Sequence, residues 1–241
     1  MLIDLKDIVK TYRMGAQEVH ALRGVDLGIE ANEYAAIMGP SGSGKSTLMR
    51  VICGFLTPKS GQVLWDDTDL TGRQSHTMAG LGICYLPQER TVYPHLTVEQ
   101  NIYLGSWTFR RDKARIRHEL ARVYDLFPMM QERRKSKAGD LSGGMQKILE
   151  VARGMMIRPE ILICDEPTVG LAPIIAKEVY DTIERLKAGG LTILLVDQNV
   201  REAIRIGDQI YVLEVGQNKV SGTRAEFEAN QHDMIKDWLQ I

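Results

Sequence analysis

The alternation of apolar and polar positions predicts strands in the first part of the chain. Leu2–Lys10 and His20–Glu30 alternate as strands with one buried face do, and Tyr34–Met38 is a mostly apolar run. The third strand leads directly into a glycine-rich loop. We therefore predict the order strand, loop, helix at this point of the chain.

Further along, the pattern takes on the helical period of 3.6 residues. Apolar side chains at helical spacing predict helices at Lys45–Phe55 and Gly143–Met156. Short strands are predicted at Gln62–Trp65 and Leu81–Leu86. A mostly helical stretch then reaches about Ser136, and one of its helical faces carries Ile116, Leu120, Val123 and Phe127.

The last third of the chain alternates strand, helix and strand, in the segments Ile161–Asp165, Pro173–Lys187 and Leu191–Asp197. Such alternation predicts a parallel α/β architecture. We expect one domain over residues 1–241, with a helical lobe inserted at about residues 89–157. The tail, Phe227–Ile241, is predicted to form one or two short helices.

Composition limits the function classes. With 241 residues, of which 44% are hydrophobic, the chain can bury a full core. Its net charge of -1 gives no overall basic footprint for nucleic acid, with local basic patches as the alternative. Cys53, Cys84 and Cys164 lack metal-ligand spacing, so we expect reduced core thiols and a cytoplasmic location. There is no signal-peptide pattern and no apolar run of the roughly 18 residues that span a bilayer, so a membrane role requires a partner.

A phosphate-binding loop is predicted after the third strand. Its glycines turn backbone amides toward the β-phosphate of a nucleoside triphosphate, Lys45 supplies charge to the β and γ oxygens, and Ser46 offers a hydroxyl to Mg²⁺. The helix beginning at Lys45 adds its positive dipole end. The predicted phosphate-binding residues are Gly39, Pro40, Ser41, Gly42, Ser43, Gly44, Lys45, Ser46 and Thr47.

An acidic pair, Asp165 and Glu166, follows the apolar run Ile161–Cys164. Ligands of open α/β sheets bind at the carboxyl ends of strands, where this pair is predicted to lie. We expect Asp165 to hold Mg²⁺ and Glu166 to orient and polarise the attacking water. Alone, such a pair is often a solvated turn or a helix cap; together with Lys45 and Ser46 it favours hydrolysis of ATP.

The sequence Leu141-Ser142-Gly143-Gly144-Met145-Gln146 is predicted to open a helix whose first turn exposes backbone amides to an anion. An ordinary helix start is the alternative. The Ser-Gly-Gly-x-Gln pattern about twenty residues before an acidic strand end resembles the signature of ATP-binding cassette (ABC) proteins. By this resemblance the fold is a P-loop NTPase core of ABC ATPase type, with an N-terminal antiparallel β subdomain and the inserted helical lobe.

The resemblance also implies an assembly and further site residues. Ser142, Gly143, Gly144 and Gln146 would complete the nucleotide site of a second cassette, so that two ATP molecules lie in a head-to-tail dimer. Tyr12 matches the residue whose ring lies against adenine, with strand packing as the alternative. Gln88 matches a glutamine that contacts Mg²⁺, with a solvated loop amide as the alternative. Gln198 stands where a histidine contacts the γ-phosphate in most cassettes.

An apolar edge follows Gln88 in the sequence. Tyr93–Leu96 precedes Thr97-Val98-Glu99-Gln100, a capping box. By resemblance, this edge belongs to a groove that receives a short helix of a membrane permease. Packing within the lobe is the alternative.

Two departures from the general cassette pattern point to a subfamily. Ala172 occupies a position near which an aspartate is common, and Gln198 replaces the histidine by a side chain that cannot become cationic. Both resemble the LivF-type ATPases of branched-chain amino acid importers, although many of those lack a glutamine at the position of Gln88.

The sequence thus predicts an ATPase that lies on the inner face of the membrane and drives a permease, with ATP and Mg²⁺ bound. Import of branched-chain or related amino acids, supplied by a substrate-binding protein, is the favoured transport function. Export of lipid or glycolipid by a similar machine is the nearest alternative, and a soluble cassette without a transporter is a more distant one. The single phosphate loop and the absence of heptads disfavour the last.

Overall fold

The computed structural model describes residues 1–15, 17–197 and 199–229. The strands are Ile3–Met14 (β1), Gln17–Ile29 (β2), Tyr34–Met38 (β3), Ser60–Trp65 (β4), Thr68–Asp69 (β5), Ile83–Leu86 (β6), Ile161–Asp165 (β7), Thr192–Val196 (β8), Gln209–Glu214 (β9) and Gln217–Thr223 (β10). The α-helices are Lys45–Ile52 (α1), Ser75–Met78 (α2), Val98–Tyr103 (α3), Lys113–Leu126 (α4), Pro128–Glu132 (α5), Gly143–Met155 (α6), Pro173–Ala188 (α7), Val200–Ile206 (α8) and Arg224–Ala229 (α9).

The chain divides into two compact units. One comprises residues 1–75 together with those from 192 onward, and the other comprises residues 76–191. The predicted single domain with a lobe at about residues 89–157 stays a prediction. Among the described residues, no helix combines the length and the apolar character that crossing a bilayer requires.

The first unit contains an antiparallel sheet in the order β2-β1-β4-β5, in agreement with the predicted antiparallel β subdomain. It also contains β3, which pairs in parallel with both β8 and β9, while β10 pairs antiparallel with β9. Every residue of β3 and β8 is buried, as the apolar runs in the sequence predict. The phosphate loop therefore follows a buried strand that has paired strands on both sides.

One hydrophobic cluster of the first unit joins β3, β9 and the helices α8 and α9. Its buried members are Ala36, Met38, Ala203, Ile204, Ile210, Val212 and Phe227. Helix α9 lies at Arg224–Ala229, so it covers only the start of the predicted tail helix. The remainder of that prediction, from residue 230, lies outside the described residues.

The second unit holds a parallel pair of strands, β6 and β7, and most of the helices. Thr97 caps α3 with the predicted capping box: its side chain accepts from the Gln100 backbone, and the Gln100 side chain accepts from the Thr97 backbone. On α4, Ile116 and Val123 are buried, as the helical period predicts.

A buried carboxylate connects α4 with the end of α6. Glu119 is 3% exposed and accepts hydrogen bonds from Nε of Arg158, at 2.7 and 2.8 Å, and from Nε of Arg122 at 2.8 Å. Arg122 also donates to the Met155 carbonyl. Burial raises the pKa of Glu119, but the hydrogen bonds from Arg158 and Arg122 outweigh it, so the pKa lies below its ordinary value.

We expect Glu119→Gln to lower the free energy of unfolding by about 1–3 kcal/mol, because it removes the charge from hydrogen bonds to two guanidinium groups. Since the pKa of Glu119 is lower in the folded protein, its contribution is present above the unfolded pKa and is lost as the pH falls through the folded pKa. The difference in stability between wild type and variant should therefore shrink in acid, as measured by urea unfolding across a pH series.

Glu178→Gln is the matched control, because Glu178 is exposed on α7. Its stability should equal that of the wild type at every pH. A Glu119→Gln variant that is as stable as the wild type at neutral pH would contradict the role of this carboxylate.

Candidate nucleotide site

The predicted phosphate loop lies between β3 and α1, in the order that the sequence indicates. A Cβ on Gly39 would lie 2.3 Å from the Leu213 carbonyl oxygen, so only glycine fits there. Gly44 precedes α1 with φ 106°, a left-handed conformation that favours glycine. The loop turn thus depends on the absence of side chains at both of its ends. Its tip, Pro40 to Gly42, is exposed.

The Lys45 ammonium lies inside this loop. The residue is 5% exposed, and Nζ donates to the carbonyls of Gly39 at 2.6 Å and Pro40 at 3.0 Å. The Ser43 hydroxyl is also buried and has no hydrogen-bond partner among the described residues. A cation and an unsatisfied hydroxyl at the start of a helix fit an anionic group such as a phosphate.

Tyr12 on β1 contacts the residue that ends the loop motif. Its hydroxyl lies 3.4 Å from Oγ1 of Thr47, and its side chain is half-buried. The Lys10 ammonium lies 5.8 Å from the centre of the Tyr12 ring. Tyr12 is therefore beside the phosphate loop, as an aromatic residue near a nucleotide base would be.

The acidic pair ends the fully buried strand β7. Asp165 is 4% and Glu166 6% exposed. Tyr85 on β6 donates from its hydroxyl to Oδ2 of Asp165 at 3.1 Å, a contact that sequence reasoning missed. Glu166 has φ 46°, an uncommon conformation for a residue with a side chain and one often found at functional sites.

Gln88 lies after β6 and contacts Glu166 directly. Its Nε2 donates to Oε2 of Glu166 at 3.0 Å, so the two residues predicted to serve magnesium and water lie side by side. Gln88 itself is exposed, whereas the carboxyl group of Glu166 is buried. The amide is therefore placed to hold the orientation of the carboxylate.

The predicted signature residues open α6 as expected. Ser142 is the N-cap residue, is exposed, and accepts at Oγ from the Met145 amide at 3.3 Å. A Cβ on Gly144 would lie 2.1 Å from Cγ2 of Ile175 on α7, so close helix packing by itself requires glycine there. Gln146 donates to the carbonyls of Ala138 and Leu141, at 3.3 and 3.1 Å, and so tethers the turn before α6.

The remaining site predictions concern the segments after β7 and β8. Ala172 is the N-cap residue of α7 and makes no side-chain capping bond, so this helix end lacks the polar group that an aspartate would supply. Gln198 lies outside the described residues. Its neighbour Asp197 is 3% exposed and accepts at Oδ1 from the backbone N–H of Asn199 at 2.9 Å.

A groove of about 510 Å³ opens in the second unit between β6, the turn after α3, and α6. Two exposed aromatic residues lie at it: Tyr93, 55% exposed, and Trp107, 66% exposed. Burial raises the pKa of the Cys84 thiol on β6 to about 12, more than the Arg153 charge lowers it, so this thiol stays protonated. We call this surface the lobe groove.

The sequence profile described as "ABC transporter" matches residues 22–169. The chain is 36% identical to the high-affinity branched-chain amino acid transport ATP-binding protein BraG of Pseudomonas aeruginosa, over 93% of this chain and 94% of that protein. It is 40% identical to the probable branched-chain amino acid transport ATP-binding protein LivF of Archaeoglobus fulgidus, over 88% of this chain and 89% of that protein. It is 30% identical to the lipopolysaccharide export system ATP-binding protein LptB of Escherichia coli K12, over 94% of this chain and 92% of that protein.

Solved structures agree with the sequence comparison. A nucleotide-free ATP-binding cassette from an ABC transporter superposes with a TM-score of 0.84 at 27% identity, over 96% of this chain and 95% of that one. A dimeric ATP-binding cassette in a post-hydrolysis state, bound to ADP and Pi, superposes with a TM-score of 0.79 at 27% identity, over 92% of this chain and 98% of that one. The predicted fold is confirmed: the chain belongs to the ABC transporter family and is one of its ATP-hydrolysing cassettes.

Proposed function

We propose that this cassette powers a permease that imports branched-chain or related amino acids, and that it does so as a dimer with two ATP molecules bound between the copies. The observation that best supports ATP hydrolysis by this cassette is the buried Glu166 carboxylate, which accepts a hydrogen bond from the Gln88 amide at 3.0 Å.

The phosphate loop binds the triphosphate. Carbonyl dipoles of the loop solvate the Lys45 ammonium, and the residue is 5% exposed. The β and γ oxygens carry full negative charge and stabilise a buried cation better than carbonyls do. The Ser43 hydroxyl and the amides at the start of α1 supply further donors, and Tyr12 stacks on the adenine ring.

The donors proposed for Mg²⁺ fit the ion chemically. Ser46, Gln88 and Asp165 offer a hydroxyl, an amide and a carboxylate oxygen, the hard ligands that Mg²⁺ prefers. When bound, the ion would neutralise charge that develops on the phosphate oxygens. The Tyr85 hydroxyl orients the Asp165 carboxylate by donating to Oδ2 at 3.1 Å.

Glu166 orients and polarises the attacking water. Its left-handed backbone, φ 46°, turns the residue after β7 away from the path of a regular strand. The Gln88 amide holds the orientation of this carboxylate, which accepts a hydrogen bond from the attacking water. Gln198 contacts the γ-phosphate as a neutral hydrogen-bonding group.

Dimerisation supplies the last donors. Ser142 is exposed at the start of α6, where backbone amides are available to an anion outside this copy. The dimeric cassette bound to ADP and Pi, at 27% identity, supports the arrangement. At the start of α7, Ala172 offers no side-chain bond, so one polar contact common between cassettes is absent.

The lobe groove binds a short helix of the permease. Its aromatic rim, Tyr93 and Trp107, is exposed, and aromatic side chains are the usual anchors of helix-in-groove contacts. Docking to a permease would hold the cassette at the cytoplasmic face of the membrane. The higher identities to BraG and LivF, 36% and 40%, favour amino acid import over lipid export, because LptB is 30% identical.

We expect Glu166→Gln to bind ATP with unchanged affinity and to lose steady-state hydrolysis by about 10²-fold or more, because the amide polarises water less than a carboxylate does. Nucleotide affinity is measured by calorimetry and turnover by phosphate release. Glu178→Gln on α7 is the matched control and should hydrolyse ATP at the wild-type rate. Wild-type turnover by purified Glu166→Gln would refute the assigned role.

We expect Trp107→Glu to weaken copurification of the membrane permease by about 30-fold, the loss of an aromatic anchor contributing about 2 kcal/mol. Leu126→Glu, an exposed apolar residue of the same lobe, is the control and should retain the permease. Equal retention by both variants would contradict docking in the lobe groove.

The copurified permease also distinguishes import from export. A soluble amino acid binding protein should stimulate ATP hydrolysis of the wild-type complex and not of the Trp107→Glu protein. Stimulation by a glycolipid alone would favour the export alternative.

A further inference from the structure

Three charged side chains form a row on the inner face of α6. Lys147, Glu150 and Arg153 recur at a spacing of three residues, which brings each beside the next on a helix. Lys147 is 5% and Glu150 2% exposed, and their side chains form an ion pair at 2.8 Å. Buried charges are rare unless they are paired, so this row on an otherwise apolar face requires a physical reason.

All three members of the charged row contact the segment that carries Gln88. The Lys147 ammonium donates to the carbonyls of Pro87 at 3.1 Å and Gln88 at 3.4 Å. Glu150 accepts from the Thr91 amide through Oε1. Lys147 contacts the start of the segment and Glu150, three residues later on α6, contacts its end, so the helix and the segment run in the same direction.

Arg153 extends the same contact surface to the lobe groove. Nη1 donates to the Thr91 carbonyl at 2.8 Å, and Nη2 donates to its hydroxyl. Glu150, Arg153 and Thr91 also line the groove. The charged row is therefore bonded to both ends of the segment 87–91, from Gln88 to the groove wall.

The segment 87–91 is not stabilised by regular secondary structure of its own. Gln88 is exposed and the backbone from 87 to 90 is neither helix nor strand. The side chain of Gln88 nevertheless has to keep a single hydrogen bond to Glu166, at 3.0 Å. Because the carbonyl of Gln88 itself accepts from Lys147, the ammonium fixes the residue from its backbone side while Glu166 fixes it from its side-chain end.

We propose that Lys147, paired with Glu150, is a positioning residue for ATP hydrolysis: it holds Gln88 against Glu166 and makes the segment 87–91 move with α6. The same helix begins at the Ser142 edge, so a displacement of that edge reaches Gln88 through the side chain of Lys147. The inference rests on the proposed roles of Gln88 and Glu166, whereas the attachment of the segment to α6 can be measured independently.

The central test compares Lys147→Met with a control that also breaks an ion pair in the same unit. Arg122→Met removes a partner of Glu119 and a donor to the Met155 carbonyl, and within the described part of the chain Arg122 forms no hydrogen bond or ion pair with residues 87–91. Both variants are expected to lower stability. Only Lys147→Met should lower kcat and raise the Mg²⁺ concentration for half-maximal hydrolysis, each by about tenfold, the usual effect of losing a support of a metal ligand.

Hydrogen exchange supplies a readout that does not depend on catalysis. In the protein without nucleotide, the amides of residues 88–91 should exchange faster in Lys147→Met than in the wild type, and should be unchanged in Arg122→Met. Affinity for ATP without magnesium should stay at the wild-type value in both. Lys147→Arg keeps a cation and several donors, so it should recover most of the turnover and of the exchange protection.

Lys147→Met leaves the buried Glu150 carboxylate without its cationic partner. If that variant fails to fold, it is replaced by Lys147→Met/Glu150→Gln, in which neither member of the pair is charged and the Thr91 amide keeps an acceptor. If the Lys147 variants match Arg122→Met in kcat, magnesium requirement and exchange, the inference is overturned. Faster exchange and lower kcat with an unchanged magnesium requirement would support it and contradict the proposed role of Gln88 as a magnesium ligand.

Discussion

The proposed nucleotide site depends first on the burial of the Lys45 ammonium. Its surroundings are fixed by backbone geometry, because Gly39 and Gly44 allow a turn that residues with a Cβ could not make. The carbonyls of Gly39 and Pro40 partly compensate the charge, at 2.6 and 3.0 Å. The oxygens of a triphosphate carry full negative charge and stabilise a buried cation better than carbonyls do, so the proposed affinity for the anion follows from the way the loop is folded.

The residues proposed to act in hydrolysis follow buried strands of the second unit. The strand β7 brings Asp165 and Glu166 to its end with less than a tenth of either residue exposed. Such carboxylates need defined partners, and the chain provides Tyr85 for the first and Gln88 for the second. Gln88 in turn depends on α6, which begins at the signature serine, so the parts proposed to contact ATP, magnesium and a second copy are mechanically connected within this unit.

The sequence predicts the elements that local chemistry defines. The bounds of β3 and β7 agree with prediction because each is an apolar run next to glycine or acidic residues. The hairpin β9–β10 escapes prediction because its two-residue turn is Val215-Gly216, both at positive φ, and a β-branched residue is unusual there. β1 extends to Met14, beyond the predicted end at Lys10, because pairing with β2 continues past the apolar pattern. Motif residues of the site are readable in the sequence, but Lys147 and Glu150 look like solvated charges until packing shows that they are buried.

In the mechanism that we propose, ATP joins two copies, and each copy contributes its Ser142 edge to the nucleotide of the other. The most direct measurement is the mass of Glu166→Gln in solution by sedimentation, with and without saturating magnesium and ATP. We expect a monomer without nucleotide and twice that mass with it, and a return to monomer when Ser142→Arg places a bulky side chain at the edge. A Glu166→Gln protein that binds ATP yet stays monomeric, even with its permease present, would rule out the ATP-bound dimer.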